Sequence, residues 1–268
     1  MVTEENAARR RPGVAQRAKV GGRGTRPHTG GVDLLASLLL GVLVQVGVYA
    51  LIPFAYWMQS NRSDTDAVDP GRKVPREPFL RWLGFRPIEA KALWPTGLTV
   101  ALLAGLFFFC AALISERPSG TWSAAPLWLV FLTASLAAVF QFALADEVFF
   151  RGFLLRWLRQ RMIRDARQRT PHGYPPGTPR PPDEALLAER ANWVQAAAYG
   201  LVRVTGFWLF GGRPLAPDWI ALAVLFLLAA GSAYLAGRLV LRNGSLLPAW
   251  YAHGGGNLLA TWFWVFFR

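Results

Sequence analysis

The chain has 268 residues, of which 53% are hydrophobic and 17% charged, and its mean hydropathy is +0.26. The apolar residues fall in long runs, without strand or amphipathic period, and too little charge remains to cover a water-facing surface, which argues against a soluble domain. The formal net charge of +13 lies in the N-terminal tail and in loops beside the apolar runs. That placement suits anionic lipid headgroups and control of membrane topology, and does not suit nucleic acid.

Six runs reach the roughly 20 residues needed to cross a hydrocarbon core about 30 Å thick: Leu34–Trp57, Leu93–Ser115, Trp122–Ala145, Trp193–Gly212, Trp219–Leu241 and Leu246–Phe267. Lipid offers no partner to backbone N–H and C=O groups, so each run is expected to be a helix. The sequence is too poor in alternation for an outer-membrane barrel. The expected fold is therefore all-α, a polytopic transmembrane helical bundle with about six membrane helices.

In chain order, residues 1–31 hold seven Arg and Lys among Gly, Pro and Thr and read as a disordered basic tail drawn to lipid. Residues 32–268 form the membrane-embedded domain. The first run begins too late and is too long for a signal peptide. After it, Phe79, Leu80, Trp82, Leu83 and Phe85 are spaced to form an interfacial helix on the membrane surface. Cys110, in the second run, is the sole cysteine, so there is no intrachain disulfide and no Cys-ligated metal site to expect. The third run ends at two acids, Asp146 and Glu147. The polar segment 159–192 contains a Pro-rich stretch, Pro171–Pro182, expected to be an extended linker. No internal repeat is visible. With six crossings, the loops on one side carry 18 Lys and Arg against 10 on the other, which places the 159–192 loop in the cytoplasm and both termini outside.

Ionisable residues at membrane depth are costly and mark functional sites. Asp146, Glu147 and Arg151 close the third run, Arg203 lies in the fourth, and His253 and Asn257 lie in the sixth. Glu147 and Arg151, Tyr199 and Arg203, and His253 and Asn257 are each four residues apart, so each pair shares a helix face. All three pairs sit roughly 10–15 Å from the same membrane face at 1.5 Å per residue. Structural readings stand beside this functional one. Glu147 and Arg151 suit an intrahelical ion pair, Arg203 a helix-locking or snorkelling cation, His253 a packing residue, and Gly254, Gly255 and Gly256 a close helix contact.

Around these residues the chain resembles the CPBP family of intramembrane glutamic proteases, which includes CAAX prenyl endopeptidases and bacteriocin-processing relatives. The family pattern is Glu-Glu-x-x-x-Arg, then Phe-x-x-x-His, then His-x-x-x-Asn or Asp, on successive helices. The first motif here is Asp146-Glu147-Val-Phe-Phe-Arg151-Gly152. The last is Gly244-Ser-Leu-Leu-Pro followed by His253-Gly-Gly-Gly-Asn257. Two positions depart from the pattern: Asp146 stands for the presumed catalytic Glu, and the middle motif, Tyr199-Gly-Leu-Val-Arg203, carries Arg for His.

The resemblance implies a metal-independent endopeptidase. Asp146 would activate water and Glu147 would support it, oriented by Arg151, while His253 and Asn257 would stabilise the oxyanion. Arg203 would either add positive charge there or pair with Asp146 and quench it. The resemblance implies no cofactor and no metal, although Asp146, Glu147 and His253 are chemically able to hold one. It implies a multi-pass protein of a bacterial-type plasma membrane, in contact with membrane lipids and with a peptide or protein substrate. The alternative is a catalytically silent relative that serves as a scaffold, sensor or binding protein; a small transporter is a weaker third reading.

Overall fold

The structure is a computed structural model and describes residues 43, 45, 47–59, 77–88, 94–114, 126–168, 184–210 and 219–266. The expected basic tail at 1–31 and the Pro-rich stretch within the 159–192 segment lie outside the described residues. The elements in order are α1 (47–59), α2 (Phe79–Leu83), α3 (Trp94–Ile114) and α4 (Leu127–Leu136). Two π-helical segments follow, Ala137–Leu144 and Glu147–Leu154, and then α5 (Leu155–Gln168), α6 (Glu184–Phe210), α7 (Trp219–Asn243) and α8 (Leu247–Phe266). No strand occurs among the described residues.

Three helical stretches among the described residues are long and apolar enough to cross a membrane: Trp94–Ala111, Leu127–Ala166 and Trp219–Asn243. The other two long helices, α6 and α8, carry Gln195, Arg203, His253 and Asn257 within their apolar stretches, which lowers their hydropathy. The whole is a helical membrane bundle.

The third run does not end at Ala145, as its hydropathy suggested. Its helix continues without a break to Gln168, and the stretch Leu127–Ala166 alone spans 40 residues. That is about 60 Å of helix, twice the hydrocarbon thickness. Its first half is apolar, its second half basic, and Asp146 and Glu147 lie near the middle. The segment 159–192 is likewise helical at both described ends, in α5 and in α6, which starts at Glu184. Amphipathic α5 packs against α6 and the π segment before it.

Small residues set the packing. In the apolar medium of a membrane, helices adhere where backbones approach closely. Ala196, Ala229 and Ala233 join Phe107, Phe150, Tyr199 and Leu225 in one core, and Val100, Ala236, Leu239 and Ala249 form a second. Large apolar side chains such as Leu102, Leu132, Leu201, Ile220, Leu227 and Leu259 point outward, the arrangement expected when lipid is the surroundings. Helix α3 packs on α8 and α7, and α6 packs on α7. A Cβ at Gly256 would overlap the carbonyl of Ala101, so α3 and α8 meet at a backbone contact. Between α6 and α7, Asn192 Nδ2 donates to the Tyr234 carbonyl (3.0 Å), and Gln195 Nε2 donates to Asn192 Oδ1 (3.0 Å) and to the Ala233 carbonyl (3.1 Å).

The interfacial helix expected near residue 80 is only five residues long. Its Leu80 is exposed, but Trp82 and Leu83 are buried against Phe153. It is thus partly a core element and not simply a surface float. Gly84, at φ 103°, ends α2 in the left-handed region open to glycine. Its carbonyl accepts from Leu246 N (2.8 Å), which ties α2 to the start of α8.

Candidate active site

The site forms where the long helix changes its winding. In a π turn the N–H reaches back five residues, as Ala145 N does to Phe140 O and Leu155 N to Phe150 O. Such segments are rare and recur at functional sites. Carbonyls of the first π segment are taken by side chains of other helices: Arg203 Nη2 donates to Phe142 O (3.0 Å), Trp250 Nε1 to Val139 O (3.0 Å) and Asn257 Nδ2 to Ala138 O (3.5 Å). Helices α6 and α8 are thereby pinned beside Asp146 and Glu147.

Five of the six sequence-selected residues form one bonded cluster. Asp146, Glu147, Arg151 and His253 are each at most 4% exposed. Arg203 Nη2 makes an ion pair with Asp146 Oδ2. Glu147 Oε1 lies 2.9 Å from His253 Nδ1 and 3.1 Å from Arg151 Nη1. That last contact is close in distance, but the N–H is not directed at the oxygen, and Glu147 Oε2 has no hydrogen-bond partner. The sixth residue, Asn257, is buried one turn beyond His253 on α8, and its amide is used on the Ala138 carbonyl.

Tyr199, which spacing pairs with Arg203 on one helix face, has a further role that no sequence pattern assigns it. Its hydroxyl joins the halves of the cluster. Arg203 Nε donates to it (3.0 Å), it lies 3.1 Å from Asp146 Oδ2, and it lies 3.3 Å from His253 Nε2. The Arg151 guanidinium covers its ring at 4.4 Å.

Arginine can only donate and the hydroxyl has one hydrogen, so Tyr199 accepts from Arg203 Nε and gives its own hydrogen to Asp146 Oδ2.

Chemically, the arrangement offers two carboxylates, a histidine and fixed positive charge within one buried site, the set needed for acid–base hydrolysis. Among the described residues no group of three or more His, Cys, Asp or Glu side chains is arranged to hold a metal ion.

These features define a class: a helical membrane protein with a buried carboxylate–histidine–arginine centre. A family model described as type II CAAX prenyl endopeptidase Rce1-like matches residues 124–259, a span that contains every residue of the cluster. The chain belongs to that CAAX-protease-like family. Searches of curated proteins and of solved structures return no match.

Proposed function

We propose that this chain is an intramembrane peptidase in which Asp146 activates water for attack on a peptide bond, and that Arg203 holds this carboxylate in a low-activity state. One observation carries the reading: Asp146 Oδ2, buried, faces both the Arg203 guanidinium and the Tyr199 hydroxyl. The oxygen that would accept a proton from water is thereby occupied by the guanidinium and the hydroxyl. Family membership supports the peptidase architecture, and the His253–Glu147 contact supplies a donor–acceptor pair that could pass a proton to the leaving amine. The protein would be multi-pass, with membrane lipids around it and a peptide or protein segment as substrate.

The second reading, a silent relative that binds a partner, draws on the same ion pair: a salt bridge that never opens leaves a binding site without a base. Hydrolysis of a peptide library by purified protein separates the two. Weak cleavage in the native chain, loss in Asp146→Ala and a gain in Arg203→His support the proposal. No cleavage by either the native protein or Arg203→His, with both folded, supports the binding reading.

A further inference from the structure

A cavity of about 440 Å³ adjoins the cluster through Arg151. Its wall is unusually basic. Arg151, Arg156 and Arg159 line it along one stretch of the long helix, with Glu77 the only acid among its lining residues. That acid is already engaged, accepting from Arg86 Nη2 at 2.7 Å with Arg81 Nε 3.9 Å away. Arg159 Nη2 lies 4.0 Å from Glu184 Oε2, between half-exposed side chains. Arg156 stacks over Trp82, which also lines the cavity.

The decisive observation is the state of the guanidiniums. Arg151, whose side chain is 1% exposed and whose Nη1 is ion-paired with Glu147 Oε1 at 3.1 Å, has Nε buried without a hydrogen-bond partner, and Arg159 Nε is in the same condition. Buried polar groups, charged ones above all, are ordinarily bonded, so unpartnered donors on the wall of a cavity point to an acceptor that belongs there. Guanidinium forks match the oxygens of a phosphate, which accepts several such bonds at once, better than the two oxygens of a carboxylate can serve three arginines. The volume exceeds what phosphate alone needs and suits a headgroup-sized ligand. Val240 and Leu241 give the wall an apolar side, and basic residues just beyond an apolar span are where anionic lipid is met.

We propose that this cavity is an anion site that grips a phosphate group between Arg151, Arg156 and Arg159. The phosphate comes from a lipid headgroup or from a free phosphate. The site does not depend on hydrolysis at Asp146, although Arg151 links it physically to Glu147.

The test is calorimetric titration of the purified full chain in uncharged detergent, with dihexanoyl phosphatidic acid, inorganic phosphate and dihexanoylglycerol as separate probes. Phosphatidic acid is expected to bind saturably and to weaken on the order of tenfold in Arg159→Gln and in Arg156→Gln, the effect of one charge-assisted contact. Arg159 is about half exposed, so Arg159→Gln should fold, and Arg159→Lys should retain most of the binding. Phosphate binding as tightly as the lipid identifies the free anion as the source; much weaker phosphate binding identifies the headgroup; both results support the site. Absence of saturable binding by either phosphate ligand, equal binding of dihexanoylglycerol, or affinities unchanged in both glutamine variants overturns it.

Discussion

Replacing Arg203 by alanine should expose the energetics of the centre. The substitution leaves Asp146, with a side chain 2% exposed, facing Tyr199 without its cation. Breaking a buried ion pair from one side costs about 3–5 kcal/mol, because the remaining charge stays desolvated. Arg203 itself is 17% exposed, so water screens part of the effect, and the lower end, about 3 kcal/mol, is expected. Removing the stranded charge as well should recover much of that loss. A double-mutant cycle with Asp146→Ala is therefore expected to show coupling of about 2 kcal/mol. Denaturant titration in mixed micelles, followed by tryptophan fluorescence, measures each corner of the cycle. A loss below about 1 kcal/mol in Arg203→Ala, with no coupling to Asp146→Ala, would refute the pairing argument, for Arg203 would then be a surface cation with incidental proximity.

Tyr199→Phe keeps the ring under Arg151 but removes the hydroxyl that joins Arg203, Asp146 and His253; a destabilisation of about 1–3 kcal/mol is expected in the same titration, since buried partners lose a hydrogen bond. Adjacent glycines should respond in opposite ways. Gly256→Ala drives a Cβ into the Ala101 carbonyl and should cost several kcal/mol by overpacking α3 against α8, whereas Gly255→Ala meets nothing within 4 Å and should be tolerated; equal thermal stability of the two variants would contradict the packing described. The dense basic cluster near the 159–192 loop predicts a cytoplasmic position, so a cysteine placed at Gly177 should resist impermeant thiol reagents applied to intact cells, and ready labelling from outside would reverse the orientation.

The all-helical class was legible in the sequence because a membrane span is a local property: about twenty apolar residues leave the backbone no other way to satisfy itself. The polar candidates were legible for a similar reason. Asp146, Glu147, Arg151, Arg203 and His253 are conspicuous where charge is expensive, and the i to i+4 spacing told which of them shared a face. Hydropathy failed where contacts outweigh composition. It ended the third run at Ala145, because a change from apolar to basic residues looks like a membrane boundary, yet the same helix continues to Gln168. It also put Trp82 on the membrane surface, although a neighbouring Phe153, distant in sequence, covers it.

Tertiary structure alone decided how the candidates are wired. The sequence left Arg203 free to assist an oxyanion or to pair with Asp146, and only the approach of α6 to the π-helical stretch selects the pair. No local pattern signals that a tyrosine hydroxyl will sit between three partners drawn from three helices, nor that π turns will offer carbonyls to Arg203, Trp250 and Asn257. Side-chain type and spacing are written along one helix at a time, whereas hydrogen-bond geometry depends on distances between helices, which are set by the small residues that let their backbones meet.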